Sequence, residues 1–335
     1  MKIRHRIWAR LLKTTSRLRI YGWSQKALLQ KANLARPNIP FSYRKREFLE
    51  SCLPLNFNPN ECKKVTACII SSIQEIELLP LSTEAILISQ ETSIDRSFLV
   101  APRDQMKLIE RVIPSEFTVI ADEDLIDYQL NQFIVQNFPK ERQGWIKQQV
   151  LKILSAKKLG NEGTLLVDAD TILLRPQNWL SKDRVQNLQI SIEYHQPYQE
   201  HYEKFMLSRS DEKTSQLART RISFVTHHQL MQAGILDEIF GYDDESFNNG
   251  LLKWLSCIDF TKSYSPACEW HTYGTFLATN YPNQIQLTQW RNLGMSRFSE
   301  SPDLKIKILE MSVPDLIKEF EGWNSLSLHH YIEKT

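Results

Sequence analysis

The chain has 335 residues, 42% hydrophobic and 24% charged, with 10 Gly and 14 Pro. That composition suits one large α/β domain or two small ones, and it excludes collagen-like and Pro/Gly-rich disordered chains. The net charge of +2 hides an asymmetry: residues 1–46 hold 13 of the 41 Lys and Arg and none of the 39 acids, so the remainder carries 28 bases against 39 acids.

The basic N-terminus, MKIRHRIWARLLKTTSRLRI, has the spacing of an amphipathic helix. At about 100° per residue, Ile3, Ile7, Trp8, Leu11, Leu12 and Leu18 share one face and Lys2, Arg6, Arg10, Lys13 and Arg17 the other. Such a helix suits an anionic membrane surface, and equally suits packing on the acidic body. Arg10 interrupts the apolar stretch a signal peptide needs, while the Arg-rich, acid-poor composition is shared with transit peptides. No basic patch continues into the body, which argues against nucleic acid as a partner. Residues 1–46 are therefore read as an arm and 47–62 as its junction with the body. No apolar run approaches the roughly 18–20 residues of a membrane span. Five cysteines, at 52, 62, 68, 257 and 268, form no C-x-x-C pair and no zinc spacing, which points to a reducing compartment and structural thiols.

From residue 63 onward strand-like and helix-like segments alternate. VTACIISS (65–72), EAILISQ (84–90) and FTVIAD (117–122) are predicted strands. GWIKQQVLKILSAKKL (144–159) has the apolar spacing of an amphipathic helix. GTLLVDAD (163–170), NLQISIEY (187–194) and RISFVTHH (221–228) are further predicted strands, and QLMQAGILDEIF (229–240) a helix. The alternation predicts a mostly parallel sheet with helices on both faces.

The sharpest feature is GTLLVDADTILLRP, where an apolar strand ends in Asp168 and Asp170. Ligands of open α/β sheets lie beyond the carboxyl ends of the strands. Two carboxylates so close repel, and each raises the other's pKa unless a cation accompanies them. A hard divalent ion, Mn²⁺ or Mg²⁺, takes one or two carboxylates and completes its shell with phosphate oxygens. The expected occupant is thus a metal with a phosphorylated ligand on its far side. D-x-D alone arises by chance in a chain with 39 acids; its position after an apolar strand sharpens it.

VDADTILLRP preceded by GWIKQQVLKI resembles a family of bacterial, glycosyltransferase-like proteins of unknown function. The shared pattern is a G-W-x-x-Q-Q-x-x-K helix followed by a strand ending D-x-D and an R-P. Here these are Gly144, Trp145, Gln148, Gln149 and Lys152, then Asp168, Asp170, Arg175 and Pro176. CEWHTYG (268–274), SFVTHH (223–228) and LSLHHY (326–331) fit more loosely, and His271 stands where the pattern has an acid. The resemblance spans roughly 63–331. It implies a GT-A-like glycosyltransferase domain: a nucleotide-sugar donor, UDP-sugar favoured, a Mn²⁺ or Mg²⁺ ion held by the D-x-D, and an unidentified glycan or lipid-linked acceptor. It also implies that Asp168 reaches the donor ribose and that a late histidine, His329 or His330, completes the metal shell.

Each candidate has a plainer reading beside it. Lys152 neutralises a diphosphate, or lays its stem on apolar surface with its head in water. Gln148 and Gln149 point to different helix faces, so only one faces a ligand. Trp145 is read as core before base-stacking platform. Arg175 is structural or phosphate-facing. Glu269 is favoured as the acceptor's general base, with Asp243 or Asp244 as alternatives, and Tyr273 shares its helix face. His227 and His228 contact acceptor or phosphate, or are structural. Two rival functions use the same residues: a Mg²⁺-dependent phosphatase of the haloacid dehalogenase type, whose D-x-D wants Thr or Val two residues after the second Asp, where Ile172 stands; and a non-catalytic membrane-surface protein on a transferase fold. A nucleotidyltransferase is disfavoured, since VTACIISSIQEIELL contains no glycine for a phosphate loop. The expected protein is a cytoplasmic glycosyltransferase, peripheral at the inner membrane face through residues 1–20.

Overall fold

The structure, a computed structural model, describes residues 62–90, 93–191, 195–209, 223–294 and 302–328. The arm, residues 1–46, and its junction lie outside the described residues, as do His329 and His330. No helix among the described residues is long and apolar enough to cross a membrane. The cysteines among them, Cys62, Cys68, Cys257 and Cys268, are free thiols.

Strands in chain order are β1 (Val65–Ile70), β2 (Ile94–Ala101), β3 (Phe117–Ala121), β4 (Thr164–Asp168), β5 (Thr171–Leu173), β6 (Gln186–Ile190), β7 (His228–Met231), β8 (Ile285–Gln289), β9 (Asn292–Leu293) and β10 (Ser325–Ser327). The helices that matter below are α1 (Leu79–Ser89), α2 (Lys140–Leu159), α3 (Gln196–Ser208), α4 (Ala233–Phe240), α5 (Asp244–Ser256), α6 (Glu269–Asn280) and α7 (Val313–Glu319). Within the stretch that the sequence reads as one domain, the structure distinguishes two compact units. Among the described residues, one draws on 62–182, 227–252 and 291–328, the other on 183–226 and 253–290.

The first unit carries a sheet in the order β3-β2-β1-β4-β7. Strands β1 to β4 are mutually parallel, and β7 runs antiparallel to β4. This is the mostly parallel α/β architecture that the alternation predicts. Every residue of β1 is buried, which is why VTACII is an unbroken apolar run rather than an alternating one. The order fixes where a ligand belongs. The chain lays down β1, β2 and β3 on one side and then returns to place β4 on the other side of β1. Such a reversal opens a crevice beyond the carboxyl ends of the two strands it separates. Those ends are Ile70 and Asp168, which face each other in register. A small second sheet, β5-β10-β9, follows the D-x-D turn. It packs Ile172, Leu174, Leu293, Leu326 and Leu328 against Leu81 and Ala85 of α1 and Val313 and Leu316 of α7.

Two expected strands are corrected. EAILISQ is not a strand; its residues lie in α1, which begins at Leu79 with Pro80 in its first turn. Its outward face carries Leu87 and Ile88, the latter 42% exposed, so its apolar run lacks amphipathic spacing. Its hydroxyls return to the backbone one turn back, Thr83 to Leu79 (2.5 Å) and Ser89 to Ala85 (2.6 Å), which lets Ser and Thr sit in a core helix. The strand at 221–228 is also displaced. Ser223 makes an isolated bridge to Ser191, and the true strand, β7, starts at His228. Residues 229–231 thus belong to β7 rather than to the helix expected over 229–240, which starts at Ala233. It ends at Gly241, whose φ of 141° an L side chain rarely adopts.

The second unit pairs β6 with β8 in parallel and contains α3 and α6. Its interior is unusually polar. Tyr273 donates its hydroxyl to Gln186 (2.9 Å), His271 Nε2 meets Gln199 Oε1 (2.9 Å), and His201 Nε2 meets the Trp254 carbonyl (2.9 Å). All are buried.

Candidate functional site

Asp168 ends β4 at the crevice, and its surroundings answer what balances the two aspartates. One carboxylate oxygen, Oδ1, is paired with the Lys152 ammonium. The other, Oδ2, is 3.2 Å from His227 Nδ1. An ionised carboxylate can only accept, so His227 carries its proton on Nδ1 and donates. The Asp168 backbone N–H also donates to the His227 carbonyl at 2.9 Å. The first cation at the D-x-D is therefore a lysine of the fold itself.

Each partner arrives by a separate route. Helix α2 packs across β1 and β4 and brings Lys152 over the sheet. The Lys152 side chain is 4% exposed, so the reading with its head in water is corrected: the stem is buried and the head is spent on Asp168. His227 precedes β7, whose antiparallel register sets His228 opposite Val167 and so sets His227 beside Asp168. Burial alone raises a carboxyl pKa. At Asp168 the Lys152 charge and the His227 hydrogen bond outweigh it and hold the group well below the usual carboxylate range. Asp168 is thus an anion at neutral pH.

Asp170 lies half-buried in the turn between β4 and β5, its carbonyl accepting the Leu328 N–H at 2.9 Å. Leu328 is the last described residue before His329 and His330. Among the described residues no group of three or more His, Cys, Asp or Glu side chains could hold a metal ion. A hard ion bridged to a diphosphate needs only one or two protein carboxylates. Asp168, kept ionised, and Asp170 beside it have the chemistry for that role.

The remaining candidates are distributed over both units. In the first, Gln148 is half-buried and Gln149 buried on α2. Trp145 is half-buried with the Arg142 guanidinium 4.3 Å from its ring centre. Arg175 donates to the carbonyls of Ile317 (3.1 Å) and Phe320 (3.2 Å) at the end of α7; of its two readings, this is the structural one. His228 is buried edge-on to Trp179, with centroids 5.4 Å apart. Asp243 caps α5 by accepting the Ser246 N–H (2.8 Å), and Asp244 is exposed in the first turn. In the second unit, Glu269 is buried at the first position of α6, and Tyr273 is on the same helix. His271, in place of the expected acid, serves the buried bond to Gln199.

Sequence reasoning missed one element of the carboxyl edge. Asp122, immediately after β3, pairs with Lys147 of α2 at 2.7 Å. The signal was available: the predicted strand FTVIAD ends in Asp122 and runs into Glu123 and Asp124, and the facing helix has a lysine five residues before Lys152.

A protein-family model described as a family of unknown function (DUF6492) matches residues 70–240, just over half of the chain. The chain belongs to this family. The match takes in β2 to β4, α2, the D-x-D turn and His227, so the site above is family territory. No curated protein matches the sequence. The solved structures similar to it include three that each match over 79% of this chain. An active-site mutant of LgtC shares 8% identity at TM-score 0.43 over 87% of its own length. The galactosyltransferase LgtC with donor and acceptor sugar analogs shares 9% at 0.40 over 87%. Mouse xyloside xylosyltransferase 1, in its apo form, shares 8% at 0.39 over 97%. These neighbours are glycosyltransferases; at such identities and scores the likeness says nothing of this chain's chemistry.

Proposed function

We propose that this chain is a metal-assisted glycosyltransferase that binds a nucleotide-diphosphate sugar, UDP-sugar favoured, at the carboxyl ends of β1 and β4. The observation that carries the reading is Asp168: an anion fixed at the reversal point of a parallel sheet, with Asp170 two residues on and a buried lysine against it. Lysine, aspartate pair and crevice together form a charge arrangement suited to a diphosphate and its counter-ion. A phosphatase of the haloacid dehalogenase type fits less well, because here the D-x-D ends the fourth strand among the described residues rather than the first.

In glycosyl transfer the bond from the anomeric carbon to the diphosphate oxygen breaks and a bond to an acceptor oxygen forms. The acceptor gives up a proton, and the diphosphate leaves with added negative charge. Asp168 and Asp170, with His329 or His330, are the residues assigned to hold Mn²⁺ or Mg²⁺. When bound, such an ion stabilises the departing diphosphate without proton transfer. The chain's own part is preorganisation. Lys152 adds a fixed positive charge beside Asp168, in a setting dry enough for that charge to act strongly. His227 and Lys152 between them fix both oxygens of Asp168.

The test is calorimetric titration with UDP, with and without Mn²⁺, on the wild type and on Asp170→Asn. UDP binding that requires Mn²⁺ and disappears in the variant supports the reading. Absence of binding by UDP, GDP and the other nucleotides under every metal condition removes it.

A further inference from the structure

Two non-glycine residues among those described have left-handed backbones, Arg184 and His227, each with φ 61°. Arg184 is on the surface, ahead of β6. His227 is at the crevice, with its side chain only 13% exposed. A left-handed conformation is disfavoured for any residue with a Cβ, and it persists where the surroundings impose it, often at functional positions. The backbone of position 227 does one thing that any residue could do there: its carbonyl accepts the Asp168 N–H. A glycine would do this without strain. The side chain does something that glycine cannot. From the same residue, Nδ1 reaches the Asp168 carboxylate at 3.2 Å. One residue thus grips Asp168 twice, by main chain and by side chain.

We propose that His227 is a positioning residue of the donor site: its left-handed backbone places Nδ1 so that the Asp168 carboxylate is fixed between it and Lys152. This inference rests on the donor-site reading above. Lys152 alone holds one oxygen of Asp168 and leaves the carboxylate free to rotate about that contact. The bond to His227 removes this freedom, so the carboxylate is set before the ligand arrives. Groups that orient a ligand-binding side chain in this way are worth about 10- to 100-fold in affinity.

Asparagine and glycine separate this role from a purely backbone one. Both tolerate the left-handed region. Asparagine also carries an N–H donor at the δ position, where histidine has Nδ1, and glycine carries none. Thermal unfolding in EDTA and calorimetric titration with UDP and Mn²⁺ are measured for the wild type, Asp168→Asn, His227→Asn and His227→Gly. The expected result is that His227→Gly still unfolds cooperatively yet binds UDP at least about 10-fold more weakly, while His227→Asn keeps most of the affinity. Glycine binding as well as asparagine overturns the proposal, since position 227 would then matter only as backbone. If His227→Gly fails to fold, His227→Ala must show the same loss of affinity, and wild-type affinity there also overturns it. The controls keep the two readings apart. A wild type that binds no nucleotide defeats the donor-site reading, and this inference with it. Wild-type binding that is lost in Asp168→Asn but unchanged in His227→Gly defeats this inference alone.

Discussion

Two aspartates at the same edge of one sheet, each paired with a lysine of the same helix, are driven in opposite directions. Asp122 follows β3 and pairs with Lys147; Asp168 ends β4 and pairs with Lys152. Strands β3 and β4 are three intervals apart, roughly 14 Å, and a single long helix serves both. At Asp122 burial dominates and the carboxyl pKa is raised, even with Lys147 in contact. At Asp168 burial is also the largest single influence, yet the group is held well below the ordinary range. The lysines differ in depth: Lys147 is 28% exposed and Lys152 4%, and a buried charge is screened less. The second neighbours differ in sign. Asp168 has His227 donating to it; Asp122 has Glu123, another acid. One lysine is therefore not enough to fix the ionisation of a buried aspartate. The deeper lysine and the second partner act together, and of the two sites it is the β1/β4 crevice that holds its carboxyl ionised.

The most forceful way to break the comparison is Lys152→Met. It leaves the Asp168 anion almost buried without its main counter-charge, and breaking a buried pair from one side costs about 3–5 kcal/mol. Urea unfolding of metal-free protein should show a loss in that range. The double variant Lys152→Met, Asp168→Asn should recover most of it, because no buried charge then remains. A single variant within about 0.5 kcal/mol of wild type, as surface substitutions are, would mean the pair is effectively solvated.

The comparison is sharpened by pH, since the two aspartates should tilt stability in opposite senses. Asp168 has a folded pKa below the ordinary 3.8. The unfolded chain then binds its proton first on acidification, so the stabilisation is present above pH 3.8 and is lost as pH falls below it. Asp122 has a folded pKa above 3.8. The folded chain holds its proton longer, so the stabilisation is present below 3.8 and is lost as pH rises through the raised folded value. Each group can contribute a slope of up to about 1.4 kcal/mol per pH unit within its window. Unfolding free energies measured in EDTA from pH 3 to 7, for the wild type, Asp168→Asn and Asp122→Asn, separate the two. Asp122→Asn should remove a decline above pH 3.8, and Asp168→Asn a decline below it. Slopes of the same sign would refute the contrast.

Much of this edge was legible in the sequence, and the illegible part has a physical reason. The strands at 65–70, 117–121 and 164–168 and the helix leading to the D-x-D are local patterns, and they were read nearly in place. Lys152 and Asp168 are 16 residues apart and joined by one helix-to-strand connection, so the sequence places both at one site, though as a diphosphate contact and a metal ligand rather than as partners of each other. His227 and Asp168 are 59 residues apart. What unites them is the antiparallel register of β7, which no periodicity encodes, and the strand itself was expected several residues too early. α1 was misread for a different reason. A helix whose outward face also carries Leu87 and Ile88 shows no amphipathic period, and its Ile- and Leu-rich stretch has the composition of a strand. β2 went unnamed because its first half, Ile94 to Arg96, is partly exposed and charged, which masks the apolar half that follows.

Lys147→Met should have the smallest effect, for the reason that makes the two aspartates different. Removing Lys152 strands an anion; removing Lys147 leaves a carboxyl already inclined to hold its proton. A carboxyl needs its counter-charge less as it gains a proton, so the loss should fall below the roughly 3–5 kcal/mol of a buried pair broken from one side. It should also depend on pH. Near neutrality some charge must be neutralised when the lysine goes, and the cost is at its largest. Toward pH 4 the folded Asp122 is increasingly protonated, and Lys147→Met should converge on the wild type. Lys152→Met should keep the larger loss at both pH values, because the intact site holds Asp168 ionised across the interval and the variant forfeits that stabilisation. Urea unfolding of both variants at pH 7 and pH 4 tests this directly. A Lys147→Met loss as large as that of Lys152→Met, and unchanged at pH 4, would show that Asp122 is also a secured anion and that Glu123 does not distinguish the two ends of the sheet.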